Sequence, residues 1–114
     1  MLTIEKLQEF GANTAEGLGR CMNNEAFYFR MIGILVQDAN FGLLKKALEA
    51  NDLDAAFEAS HALKGVLGNL SLTPMAEKAS EMCELLRSRT EADYGPMLED
   101  LLAKKAELEA LMGD

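Results

Sequence analysis

The chain has one histidine, two cysteines, two prolines and no tryptophan in 114 residues. Each scarcity removes a class of protein. A single histidine excludes a metal site built on several histidines. The two thiols, Cys21 and Cys83, form no Cys-x-x-Cys pair, so they support neither a zinc site nor a disulfide scaffold. Both lie in apolar helical patterns, where a free cysteine acts as a small hydrophobe, and a reducing cytoplasm is the expected compartment. No uninterrupted apolar run nears the ~20 residues that cross a bilayer. The opening Met1-Leu2-Thr3-Ile4-Glu5 lacks the basic start and apolar stretch of a signal peptide. Together with the compact length it reads as a free-standing protein. No glycine-rich nucleotide motif is present, so ATP would bind elsewhere, and the missing nucleophile elbow sets serine-hydrolase chemistry aside. Positive charge is short as well, with 11 Lys and Arg against 19 Asp and Glu and a net charge of −8. Nucleic acid and anionic membranes are therefore poor partners.

What remains is abundant in alanine, leucine, glutamate and methionine, a composition that favours helix. No segment alternates with the two-residue period of a half-buried strand. Thr3 predicts the cap of a short helix ending at Phe10, with Gly11 as its stop. A second short turn is expected over Thr14–Cys21. Asn24 opens a long segment from Glu25 to about Asn51, whose apolar positions include Phe27, Met31, Ile34, Leu35, Leu43, Leu44, Ala47 and Leu48. Gly42 and Asp38-Ala39-Asn40 are the places where it can bend or break. Asp52 caps the next helix, Leu53 to Gly68. Thr73 caps another, with Pro74 at its first position, reaching about Arg87. Asp93 caps the last, which runs through Leu98, Leu101, Leu102, Leu108 and Leu111. Met22, Met31, Met75, Met82 and Met97 sit at core spacings. The expected fold is all-α: an antiparallel four-helix bundle with one or two additional short N-terminal helices, in one domain over residues 1–114.

The lone histidine lies within His61-Ala62-Leu63-Lys64-Gly65-Val66-Leu67-Gly68-Asn69-Leu70. At about 100° per residue, Gly65, Gly68 and Asp54 fall within about 40° of His61, and Lys64 within about 60°. Ala56, Ala59, Leu63, Val66 and Leu70 fall on the opposite side. The imidazole is thus predicted to face water beside a lysine and two residues without side chains. That arrangement suits carriage of an anion. Phe57, one turn earlier on the flank of His61, is expected partly buried and a candidate contact for a partner.

His61-Ala62-Leu63-Lys64-Gly65 followed by Gly68-Asn69-Leu70 resembles the signature of histidine-containing phosphotransfer (HPt) domains. The Ala55-Ala56-Phe57 turn before the histidine and the Leu70-Ser71-Leu72-Thr73 connector after it fit the same pattern. Ser71 stands where many members have glycine, a departure expected to touch the connector and not the phosphate site. The resemblance runs from about Thr14 to about Leu111 and is strongest from Leu53 to Leu86. It implies a phosphocarrier, not an enzyme, acting in a two-component multistep relay. His61 accepts a phosphoryl group from a receiver-domain aspartate through its distal ring nitrogen and passes it to a second receiver. Lys64 steadies the phosphoryl group, while Gly65 and Gly68 clear its approach. The chain itself needs no cofactor or metal; Mg²⁺ belongs to the partner receiver. The partners implied are receiver domains and a hybrid histidine kinase, met by a cytoplasmic monomer. Two other readings compete: a helical interaction or adaptor module without phosphate chemistry, and a substrate domain phosphorylated directly by a histidine kinase.

Overall fold

A computed structural model describes residues 1–113; Asp114, the last residue of the predicted domain, lies outside the described residues. Seven helices occupy them: α1 (Ile4–Phe10), α2 (Thr14–Arg20), α3 (Glu25–Leu35), α4 (Ala39–Glu49), α5 (Leu53–Asn69), α6 (Thr73–Arg87) and α7 (Gly95–Met112). Local chemistry sets most of these boundaries. Thr3 Oγ1 accepts the Lys6 N–H at 3.1 Å and starts α1. Gly11 ends it in the left-handed region at φ 107°, where a Cβ would also stand only 2.8 Å from the Pro74 ring. Asn13, Asn24, Asp38 and Asp52 cap α2, α3, α4 and α5 through their side-chain oxygens.

Three boundaries correct the sequence reading. The segment expected to run from Glu25 to Asn51 is two helices. Asp38 turns its carboxylate back to accept the Asn40 N–H at 2.8 Å, which starts α4 afresh, whereas Gly42 sits inside α4 without breaking it. The N-cap of α6 is Leu72, with no side-chain cap, and Thr73 is its first residue. The N-cap of α7 is Tyr94, although Asp93 does accept the Gly95 N–H at 3.1 Å.

Helices α4, α5, α6 and α7 pack in sequence as an antiparallel bundle, with α4 returning to α7. The connection from α4 to α5 is only Ala50–Asp52, turned by Asn51 at φ 54°, a conformation asparagine tolerates better than most residues. On α5 the inward stripe is Ala56, Ala59, Ser60, Leu63 and Leu67, all buried. Full burial of a leucine such as Leu63 is worth about 1.5–3 kcal/mol. Met75, Met82 and Leu86 answer from α6, and Leu101 and Leu108 from α7. Met75 and Met82 are core residues as predicted, and Met31 and Met97 are half-buried. Met22 is not in the core: it stands in a left-handed turn between α2 and α3 at φ 56° and is 85 % exposed. Phe27, Ile34 and Leu43 of the apolar pattern are likewise exposed.

The N-terminal helices close one end of the bundle, and they do so on the C-terminus of α5. A helix leaves its last four carbonyls without partners. Here the buried Tyr28 hydroxyl of α3 donates to the Leu70 carbonyl at 2.8 Å, and the Arg20 side chain of α2 donates to the Gly68 carbonyl. The Asn13 N–H donates to the Ser71 carbonyl at 2.9 Å. Gly17 permits this arrangement, because a Cβ there would lie 2.5 Å from the Tyr28 hydroxyl. Burial pushes the Tyr28 phenol up to about 12, with the neighbouring Cys21 adding to the effect.

Candidate functional site

The polar stripe of α5 faces outward as its spacing requires. His61 and Gly65 are exposed, and Lys64, Gly68 and Phe57 are half-buried around them. His61, Lys64, Gly65, Gly68 and Asn69 line one open depression of about 490 Å³, which Glu16 and Arg20 of α2 complete. The structure therefore brings together four of the five predicted site residues on one surface and sets Phe57 beside them. A larger groove of about 700 Å³ runs between α4 and α5, walled mainly by Leu43, Ala47, Ala55, Ala59 and Ala62. It contains no histidine; Asn40, Lys46, Asp52 and Glu58 also line it.

The imidazole is positioned from two sides. Its Nδ1 lies 4.0 Å from Sγ of the fully buried Cys83 on α6, at the outer limit of a sulfur hydrogen bond. Nδ1 is thus the nitrogen turned toward protein, which leaves Nε2 as the one available to solvent. Phe57 stacks on the ring, with centroids 5.7 Å apart and planes inclined by 24°. Two guanidinium groups lie over Phe57 in turn, Arg87 at 5.3 Å and Arg89 at 4.9 Å from its centroid. Arg89 is held there by Asp54, the acidic residue predicted on the His61 side. The ring of Phe57 is therefore a brace for the imidazole as well as a partly exposed apolar edge.

Lys64 has a partner in the resting chain. Its Nζ lies 3.4 Å from Oε1 of Glu84, whose other oxygen is 3.5 Å from Arg87 Nε. The Lys64 hydrogen bond and then the Arg87 charge hold the Glu84 carboxyl below the usual carboxylate range. The pair leaves Lys64 one helical turn from His61, tied to an exposed carboxylate.

Gly65 and Gly68 face open space. A Cβ at either position would meet nothing within 4 Å. No neighbouring helix needs them to be small, in contrast to Gly17, where the added carbon would enter the Tyr28 ring. Their bareness is presented outward, toward whatever approaches His61.

Six side chains in or beside this surface were not singled out from sequence: Cys83, Glu84, Arg87, Glu16, Arg20 and Arg89. Cys83 and Glu84 lie 22 and 20 residues beyond their α5 contacts, and only the register of the α5–α6 hairpin brings them across. Ser71 also has a wider reach than its connector role. Set at φ 54° and buried, it donates its hydroxyl to Glu16 Oε1 at 2.8 Å, and Glu16 pairs with Arg20.

A family model of the Hpt domain matches residues 36–113, and the chain belongs to that family. Hpt domains are phosphocarriers that work with receiver domains and kinases. No curated protein and no solved structure is found to match the chain. Among the described residues no helix is long and apolar enough to cross a membrane, and no group of three or more His, Cys, Asp or Glu side chains is placed to hold a metal ion.

Proposed function

We propose that this chain is a histidine phosphocarrier in a multistep relay and that His61 is its phosphoacceptor. The observation that carries the reading is the state of the imidazole. It is exposed, turned so that Nδ1 meets a buried thiol, and flanked by Lys64 and two glycines that nothing in the chain requires to be small.

Phosphoryl transfer depends chiefly on alignment and on neutralising charge on the transferred oxygens. In the proposed step the Nε2 lone pair of neutral His61 attacks the phosphorus of an aspartyl phosphate on a receiver. The bond from phosphorus to the aspartyl oxygen breaks, and its electron pair stays on the receiver's carboxylate. Nδ1 keeps its proton during the attack, with the Cys83 sulfur as its acceptor. Lys64 exchanges Glu84 for the phosphoryl oxygens, an exchange made easy because the resting pair is exposed to water. Gly65 and Gly68 let the receiver's surface approach α5 closely, and the exposed edge of Phe57 gives it an apolar contact. Mg²⁺ comes with the receiver, whose carboxylates hold it. Docking is brief and the interface small, under about 1,200 Å².

The deciding experiment incubates the chain with receivers phosphorylated at aspartate and scores acid-labile, base-stable label. The unaltered chain takes up label, and His61→Gln takes up none while its helical circular dichroism is retained. Label on the glutamine variant refutes the assignment. Label arriving only from a histidine kinase and ATP, never from a receiver, favours the direct-substrate reading, and no label from any donor favours an adaptor.

A further inference from the structure

Arg20 ends α2, a seven-residue helix with no evident role in the sequence pattern. Its guanidinium is fixed at the rim of the His61 depression. One terminal nitrogen donates to the Gly68 carbonyl, and the other lies 3.2 Å from Glu16 Oε1. Glu16 is itself tethered by the Ser71 hydroxyl. The arginine is thus oriented by three elements, α2, the C-terminal turn of α5 and the α5–α6 connector, yet its side chain keeps 48 % of its surface in water.

We propose that Arg20 is a partner-reading residue: it engages a carboxylate on the docked receiver and sets how tightly that receiver binds. The inference rests on the phosphocarrier reading of His61. Position decides between holding the phosphoryl group and holding the partner. Gly68 lies about two turns beyond His61, roughly 10 Å along the helix axis, whereas Lys64 lies within one turn. The phosphoryl group on Nε2 falls to Lys64. Only a body wide enough to span the depression reaches Arg20.

Charge decides which chemistry Arg20 meets there. A receiver that binds Mg²⁺ through carboxylates has an acidic mouth, and this chain carries a net charge of −8. Like net charges disfavour approach, and cations placed at the contact offset that. Arg20 supplies one at the edge, in a planar fork whose geometry matches a carboxylate. Its bond to the Gly68 carbonyl keeps the group in place while the exposed pairing with Glu16 is exchanged for the partner's carboxylate.

The test compares two phosphoryl donors on the full chain. One is phosphoramidate, a small molecule that passes its phosphoryl group to an imidazole nitrogen with loss of ammonia. The other is a receiver charged with acetyl phosphate in Mg²⁺, chosen from a panel as the one that discharges fastest onto the unaltered chain. For Arg20→Ala, KM for the phosphorylated receiver rises roughly three- to fivefold at about 0.1 M salt with kcat held, the size of one exposed ion pair. With the receiver held well below KM, the ratio of receiver-driven to phosphoramidate-driven labelling falls by the same factor. Arg20→Lys recovers most of the loss, and about 1 M salt removes the difference between the variants. An unchanged KM, an equal loss with both donors, or no recovery by lysine each overturns the proposal while leaving His61 as the acceptor. A chain that takes label from neither donor overturns the phosphocarrier reading, and this inference with it.

Discussion

The cleanest separation of folding from function lies at Gly65. Glycine inside a helix is less stable than alanine by roughly 0.5–1 kcal/mol, because the unfolded chain has more freedom to lose. That penalty is justified inside a protein only where a side chain would collide with something. At Gly65 the nearest place for a Cβ is empty out to 4 Å, and the residue is exposed. Gly65→Ala should therefore stabilise the bundle by about 0.5–1 kcal/mol, raising Tm by about 2–6 °C for a chain of this size. Thermal unfolding followed by circular dichroism at 222 nm measures it. The same protein, and a longer Gly65→Gln variant, are then assayed for transfer from a phosphorylated receiver. Alanine should slow transfer modestly, and glutamine should slow it by more than about tenfold while the fold remains intact, since a flexible polar side chain would occupy the surface beside His61. A lower Tm for alanine would mean that the backbone, not an approaching partner, requires the glycine. A glutamine variant transferring at the unaltered rate would show that the cleared face has no bearing on docking.

Three other outcomes follow from the geometry. Lys64→Ala should slow phosphoryl transfer to and from His61 without abolishing it, with Lys64→Arg intermediate; stopped-flow or labelled-transfer rates measure this, and an unaltered rate would take the lysine out of the mechanism. Cys83→Ala removes the sulfur at 4.0 Å from Nδ1 and should slow labelling roughly two- to fivefold, the worth of one weak hydrogen bond, with a change in the Nδ1/Nε2 tautomer balance seen by ¹⁵N NMR; an unchanged tautomer ratio would reduce Cys83 to packing. Tyr28 makes stability fall at alkaline pH: its phenol sits at about 12 in the fold against about 10 unfolded, so its contribution is complete below pH ~10 and is lost as pH rises through 12. The loss is on the order of 2–3 kcal/mol, and Tyr28→Phe should erase this step while costing about 1–2 kcal/mol at neutral pH for the Leu70 carbonyl left unpartnered; a denaturation midpoint that falls equally in both proteins between pH 10 and 12 would contradict this.

What could be read from the residue order was whatever depends on near neighbours. The caps at Thr3 and Asp52 and the stop at Gly11 are set within one or two turns and are found where their spacing placed them; of the inward face predicted for α5, Ala56, Ala59, Leu63 and Leu70 are buried, Val66 is half-buried, and Ser60 and Leu67 join them. The outward group of His61, Lys64, Gly65 and Gly68 is one helix seen from one side, so it was equally legible. The errors have the same origin. Asp38 was legible as a place to bend, but a choice between bend and break rests on whether its carboxylate turns back to accept the Asn40 N–H, which spacing alone does not decide. Met22 has a core spacing only if the helix continues, and a left-handed turn stops it first. The partners supplied from other helices, Cys83 and Glu84 across the hairpin and Arg20 from 48 residues before Gly68, have no local signature at all. They are consequences of register and docking, which a periodicity cannot encode.

The same long-range partners explain how α5 carries two glycines on its exposed face and still holds an imidazole in place. Together Gly65 and Gly68 weaken the helix by roughly 1–2 kcal/mol relative to alanine, and Gly68 lies in the last turn, where carbonyls have no helical partners. That is the turn on which the N-terminal helices are docked. The buried Tyr28 hydroxyl on Leu70 and the Asn13 amide on Ser71 are each worth about 0.5–1.5 kcal/mol, enough to offset the glycines. The bundle core holds α5 from the other side through Leu63 and Leu67. Bareness of the outer face and rigidity of the helix are therefore supplied by different parts of the chain. A change that loosens the N-terminal cap, such as Gly17→Ala driving a methyl group into Tyr28, should fray the end of α5 and disturb docking at Gly68 before it disturbs the imidazole, which is seated two turns away against Cys83 and Phe57.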